Sequence, residues 1–576
     1  MIKRIKHNTT KRRLAVLLPT ALCALWCLAQ TSLSERLSYV LDVQNMSLGT
    51  QLYSEIKDTD LKQLPDSSLF HYHYLGGYLN SEIPNHEKAI SHLIEAKNLC
   101  DTKLGTYSIG YMEIMRGLGD EYIAIGKYED ALATFQEGIV KSMAIRNGAT
   151  HAFANLIIGV QECYEYMGWF NEVPNHLMDA WRFWPKDGAT LETYSYYPLW
   201  CLEQFYRRYG MYDKAISVSE EIEKFIIANG GETHPELCDA LYMKGNLFRD
   251  VNNYEKAIES YEKAISIAKI SNTSELELLG MIYENLACSY IEVNDYDNCN
   301  RICELMKSYY GDSNQQYYKD LLAIGILASQ KNEYDQSLCY FSKAEQGPLT
   351  SSDIDLLKWN RESVIFNKNL ANHFADFEKN YKVYEVGTAE WFDNAQKLSC
   401  AYNLSQNHRN NSDVLKSMLA AIPSHKNDGE PYVLWIYNNL IGVSMELGQN
   451  DAALQYAKDR INYIDSLGPV PDESKAYYLN CLNDVIVSQL KSGKIEGIDV
   501  ALDNLKGLYL ANFGDMSKQY GIYLHNRGRA YQLQGKLDEA KETLLKSITV
   551  QNNVVGKPME RTIKYYLEVQ QQLCEI

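Results

Sequence analysis

The sequence predicts an all-α protein, a solenoid of about twelve antiparallel helix pairs stacked side by side. Three observations point there. A set of small, aromatic and turn-forming residues recurs every 42 positions. Within most units two small residues stand seven apart, close to two helical turns, so they share one face of a helix. At 576 residues the chain is too long for one ordinary core, yet its 46% apolar content is that of a folded protein.

Residues 1–29 have the build of an export signal. "MIKRIKHNTTKRR" is basic and "LAVLLPTALCALWCLA" is a short apolar core. Cys27-Leu28-Ala29 supplies a small-x-small cleavage site before Gln30. The apolar run is short for a membrane span, and no second run of spanning length follows. The mature chain is therefore expected beyond the inner membrane, periplasmic or at the cell surface, with an uncleaved N-terminal anchor as the alternative. Cys23 and Cys27 do not follow the small residues that a lipid-attachment signal needs.

The regular array is expected over 30–346. Anchored on Ala257, steps of 42 reach Ala89, Ala131, Val173, Ala215 and Cys299. Three before each anchor stand His86, Tyr128, Phe170, Tyr212, Tyr254 and Tyr296; five before stand Pro84, Gly126, Gly168, Gly210, Asn252 and Asn294. The latter are turn formers, placed where a first helix must end and a second begin. Gly77, Gly119 and Gly245 lie twelve before their anchors, and Ala96, Gly138, Ala180 and Ala264 seven after. Small residues there let two helices approach closely while aromatics fill the wider gaps. A seventh unit lies 38 on, with Gly325, Tyr334, Ser337 and Phe341. Residues 347–430 read as degenerate helical repeats. A C-terminal array spans 431–576, around Ala453, Ile498 and Ala540, and "PMERTIKYYLEVQQQLCEI" closes it with a polar outer side. Ile576 falls within that closing helix, so no effector domain is expected after the array.

These residues resemble the tetratricopeptide repeat, a small–aromatic–small signature over two helices, and the spacing of 42 resembles its kinesin light chain subtype. "YENLACSY", "YNNLIGVS" and "LHNRGRAY" are similar to the Asn-bearing first helix of that subtype, and "THPE" to its inter-repeat turn. The resemblance implies a right-handed superhelix whose first helices line a concave groove, and a function in binding.

Charge narrows the partner. Without the six Lys/Arg of the leader, 50 basic residues face 74 acidic ones, a net charge of −24. Nucleic acid is excluded as a ligand, because its binding depends on basic side chains neutralising phosphates. Eleven cysteines remain after the leader, odd in number and scattered, and most read as small core residues rather than a disulfide framework.

No phosphate-binding loop, HExxH or GxSxG occurs, and "HEKAI" at His86 lacks the second histidine. Cys299 and Cys303 are four apart but fill packing slots of their unit, with no companion pair at zinc spacing. His71 and His73 point to different sides of a helix. Ser260 and Lys263 belong to an ordinary repeat helix, and the "WRFW" pair of tryptophans at 181–184 reads as packing between repeats. No catalytic centre, metal or cofactor is expected.

Binding remains, to a protein or peptide. The groove positions that the resemblance implies lie 18, 15, 11 and 8 before each anchor. They hold Glu113, Arg116 and Asp120; Tyr197, Trp200 and Arg207; Tyr242, Asn246 and Arg249; Glu284; and Asn438, His525 and Arg529. Amides hold a peptide backbone, arginines a carboxylate, and aromatics supply contact area. Two further readings are a regulatory partner of a separately encoded effector or sensor, and a glycan-binding envelope protein.

Overall fold

The structure, a computed structural model, describes residues 46–56, 61, 64–105, 109–142, 151–183, 196–271, 276–311, 313–555 and 559–575. The export signal, Trp184 and the side chain of Cys574 lie outside the described residues. Among the described residues the fold is helical, almost wholly α with short 3-10 and π segments, and has no strand. The chain divides into two compact units, Met1–Gln204 and Phe205–Ile576.

The first unit contains α1 (Met46–Glu55), α2 (Asp66–Glu82), α3 (His86–Leu99), α4 (Ile109–Ala124), α5 (Tyr128–Ser142), α6 (His151–Tyr166) and α7 (Glu172–Phe183). Each helix packs on its chain neighbour, and α4 also packs on α6. Helix α8 (Tyr197–Arg208) carries the boundary. The second unit continues with α9 (Tyr212–Gly230), α10 (Glu236–Asp250), α11 (Tyr254–Ser271), α12 (Leu276–Glu292), α13 (Tyr296–Tyr310), α14 (Gln315–Gln330) and α15 (Tyr334–Ala344). Then come α16 (Ser351–Asn372), α17 (Phe374–Val383), α18 (Ala389–Leu404), α19 (His408–Ala421), α20 (Val433–Glu446) and α21 (Asn450–Ser466). The last are α22 (Lys475–Ser492), α23 (Ile498–Phe513), α24 (Lys518–Leu533), α25 (Leu537–Val555) and α26 (Glu560–Glu575).

The 42-residue offsets now have physical content. Gly126, Gly168, Gly210, Asn252 and Asn294 all stand at positive φ, between 58° and 76°, in the tight turn between paired helices. Glycine and asparagine enter that region at least cost. The anchors Ala89, Ala131, Val173, Ala215, Ala257 and Cys299 have no exposed surface. Glycines twelve before an anchor lie under the side chain four after it. A methyl on Gly119 would meet the Phe135 ring at 2.2 Å, on Gly245 the Tyr261 ring at 2.4 Å, and on Gly528 the Leu544 side chain at 2.5 Å.

The register also runs through the C-terminal part of 347–430. Gln406 takes the left-handed turn (φ 54°), which puts Asn411 in the anchor slot, 42 before Ala453. Asn411 is fully buried, and its side-chain oxygen accepts from the Ser399 hydroxyl at 2.6 Å. A buried polar pair thus replaces the usual glycine and alanine; the Asn411 oxygen is satisfied by Ser399 while its amide nitrogen has no hydrogen-bond partner among the described residues. The true irregularity is α16–α17. His373 joins them without a left-handed turn, α17 buries no residue, and it packs on α18 rather than back along α16.

Candidate functional site

The residues proposed from sequence lie on the first helices of their repeat pairs. In the first unit Arg116 is held on three sides. Its Nε donates to Asp120 at 2.9 Å, Nη1 to the Asn155 carbonyl at 2.6 Å and Nη2 to Glu162 at 2.9 Å. Burial, with the Glu162 carboxylate adding to it, raises Asp120 to about 6 despite the opposing Arg116 charge. Glu113 accepts from the Tyr74 hydroxyl at 3.2 Å. Tyr197 is buried and stacks on half-buried Trp200, ring centroids 5.5 Å apart.

The second unit has the most developed arrangement, around α10. Asn285, on α12, is its hinge. Its amide nitrogen donates to Asn246 Oδ1 at 2.9 Å and lies 3.4 Å from the Tyr242 hydroxyl, while its oxygen accepts from Arg249 Nη1. Tyr261, fully buried on α11, donates to the same Asn246 oxygen at 2.7 Å. Burial pushes the Tyr261 phenol well above its ordinary pKa, so it remains a donor. Arg207 Nε donates to Asp250 at 2.6 Å. These residues enclose an open pocket of about 210 Å³, lined by Arg207, Asn246, Arg249, Asp250, Tyr254, Glu292 and Leu327. Lys331 pairs with Glu292 at 3.2 Å, which leaves the arginines as the pocket's principal cations.

One unit further on, Glu284 is half-buried on α12 and Asp320 is 2% exposed on α14. Burial, with Glu284 adding to it, raises Asp320 to about 7, against the bond that Gln316 Nε2 donates to its Oδ1 at 2.7 Å. Burial raises Glu284 too, and Arg249 opposes this.

The remaining sequence-predicted residues are engaged elsewhere in the second unit. Asn438 is exposed and accepts from Arg460 Nη1 at 2.5 Å and from the Tyr477 hydroxyl at 3.3 Å. His525 is buried, within 2.9 Å of the Thr562 hydroxyl on α26 and stacked on Tyr565. Burial, helped by Arg561 and Arg529, lowers it to about 4. Arg529 lies over the Tyr565 ring at 4.4 Å. Both are thus covered by α26.

Arg207, Asn246 and Arg249 are brought together; Tyr242 supports them from the side. Sequence reasoning missed Asn285, Asp250, Tyr254, Glu292 and Leu327. A signal for Asn285 was present. It stands fourteen before its anchor, as do Asn439 and Asn526 in the other two Asn-bearing helices.

Chemically the pocket suits recognition. Two guanidinium groups offer fork geometry to a carboxylate, Tyr254 offers a ring, and an internal hydrogen-bond network fixes Arg249. Its volume suits one or two side chains and falls below the usual range for small-molecule sites, ~300 Å³ and up. Among the described residues no group of three or more His, Cys, Asp or Glu side chains could hold a metal, and no helix is long and apolar enough to cross a membrane.

Comparison with known proteins agrees with the repeat. Residues 200–270 match a family model described as tetratricopeptide repeat, and 522–554 match a second with the same description. No curated protein matches the sequence. Among solved structures, a Podosopora anserina kinesin light chain protein of nearly identical TPR-like repeats is 12% identical. That match covers 41% of this chain and 94% of the other, with a TM-score of 0.27. A tetratricopeptide repeat protein from Parabacteroides merdae is 13% identical, covering 51% of this chain and 98% of that one, TM-score 0.29. The Naa15/Naa10 structure bound to HypK-THB is 15% identical, covering 94% of this chain and 79% of that one, TM-score 0.30.

Proposed function

We propose that this protein, which carries tetratricopeptide repeats at 200–270 and 522–554, is an exported, non-catalytic scaffold that captures an extended segment of a protein partner. The observation that carries this reading is the pocket around Arg207 and Arg249, built on first-helix positions. An arginine already oriented by Asn285 loses little freedom on binding a carboxylate, so its donors are preorganised. The partner segment accordingly presents an acidic side chain or a chain-end carboxylate to the two arginines. Export rests on the leader at 1–29, and the processed chain begins at Gln30.

The test is capture from native envelope extract by the mature protein, with bound material identified by mass spectrometry. Wild type is expected to retain a discrete protein partner, and Arg207→Ala/Arg249→Ala to lose it while its circular dichroism stays unchanged. Retention of glycan instead of protein, or undiminished capture by the folded double variant, overturns the reading.

A further inference from the structure

Helix α17 packs on α18 yet buries none of its own residues, and a helix seated so lightly leaves space beside it. A cleft of about 300 Å³ opens there between α17, α18 and α19. That volume reaches the lower end of the range for small-molecule sites. Leu398 is 1% exposed, Val414 5% and Tyr402 7%, and these three give the cleft an apolar floor. The Tyr402 hydroxyl donates to Glu378, on α17, at 2.6 Å, which ties ring and carboxylate together.

The charges on the two walls are not spent on each other. Lys382 lines the cleft from α17 and Asp413 from α19. Both are exposed, and neither side chain makes an ion pair or hydrogen bond among the described residues. Glu378 stands four before Lys382, the spacing and order at which a helical ion pair closes most readily, yet it bonds Tyr402 instead. No second cation complicates the wall: Lys379, Arg409 and Lys416 are close in sequence but do not line the cleft.

An unpaired ammonium on one wall and an unpaired carboxylate on the other, above an apolar floor, select a ligand that carries both charges. An anion would satisfy Lys382 but be repelled by Asp413 and Glu378, and a cation would be repelled by Lys382. A neutral ligand would forgo both charge-assisted bonds, which are about twice as strong as neutral ones. We propose that the cleft between α17, α18 and α19 binds a free α-amino acid with an apolar side chain. Its carboxylate pairs with Lys382, its ammonium with Asp413, and its side chain lies on Leu398, Val414 and the Tyr402 ring. No residue of the cleft lines the Arg249 pocket, so the two sites stand or fall separately.

The test is isothermal titration calorimetry of the mature chain with L-leucine and with L-phenylalanine. Each is also supplied as its amide, which lacks the carboxylate, and as its N-acetyl derivative, which lacks the ammonium. Glucose serves as the neutral probe. Wild type is expected to bind at least one of the amino acids at one site per chain, and both of its blocked derivatives about tenfold more weakly. Lys382→Ala should weaken the amino acid about tenfold and leave the amide unchanged, whereas Asp413→Ala should weaken it as much and leave the N-acetyl derivative unchanged. Both side chains are exposed, so circular dichroism should confirm that the variants remain folded. Arg207→Ala/Arg249→Ala should bind the amino acid as wild type does. No heat with either amino acid overturns the proposal, as do blocked derivatives that bind equally well and affinity undiminished in both charge variants. Saturable binding of glucose in place of the amino acids overturns it too, since the occupant would then be a glycan.

Discussion

Replacing Gly245 with alanine puts a methyl group 2.4, 2.7 and 2.8 Å from three atoms of the Tyr261 ring. Tyr261 has no exposed surface, and its hydroxyl is tied to Asn246 at 2.7 Å, so the ring cannot swing away freely. Overpacking of this kind costs about 1–3 kcal/mol. Against it stands the better helix propensity of alanine, worth about 1 kcal/mol. The balance is a destabilisation of up to about 2 kcal/mol. The protein supplies its own controls. Gly442 and Gly507 also lie inside helices, and a methyl there meets nothing within 4 Å. Alanine at either should stabilise by about 0.5–1 kcal/mol. Urea unfolding followed by far-ultraviolet circular dichroism would then give shifts of opposite sign. If Gly245→Ala raises the midpoint as Gly442→Ala does, the close approach of ring and glycine is wrong. A displaced Tyr261 also loosens Asn246 and Asn285, so partner capture should weaken in the same variant.

Other predictions extend the account. Ala257→Leu, at a site with no exposed surface, should cost about 1–3 kcal/mol. Lys263→Leu removes only a half-exposed pair with Glu223 and should change stability by about 0.5 kcal/mol or less in the same urea series. Asp320 is raised to about 7 in the fold, so protonation favours folding and stability should fall as pH rises from about 4 toward 7. Melting of Asp320→Asn should be flatter over that window, keeping a residual slope of the same sign from Asp120 and Glu284, whose pKa values are also raised. Intact-mass analysis of the native protein should find a chain beginning at Gln30; Met1 or Ile2 at the terminus would refute cleavage after Ala29.

What the sequence revealed depended on whether one residue could carry the constraint alone. The turns at Gly126, Gly168, Gly210, Asn252 and Asn294 were legible because few residue types accept positive φ, so composition reports backbone geometry directly. The repeat at Asn411 was hidden because its slot is filled by a polar residue whose burial makes sense only with Ser399 opposite. The pair α16–α17 gave no repeat signal because it lacks the turn. Arg207, Asn246 and Arg249 were named from the first-helix offsets that the resemblance implies, and they line one pocket. Asn285 and Leu327 reach the same neighbourhood from later helices, contacts that offsets within one unit do not encode. His525 and Arg529 occupy equivalent offsets, and Thr562 and Tyr565 of α26 engage them, contacts from a later helix that offsets within one unit do not encode either.

Photocrosslinking tests the central claim most directly. A benzophenone amino acid placed at Tyr254, which lines the Arg249 pocket, and separately at exposed Lys263 would be irradiated with the captured partner bound. The account predicts a crosslink from position 254 into an acidic stretch of the partner, absent from position 263 and abolished by Arg207→Ala/Arg249→Ala. A partner that binds with full affinity yet never crosslinks at position 254 would contradict it.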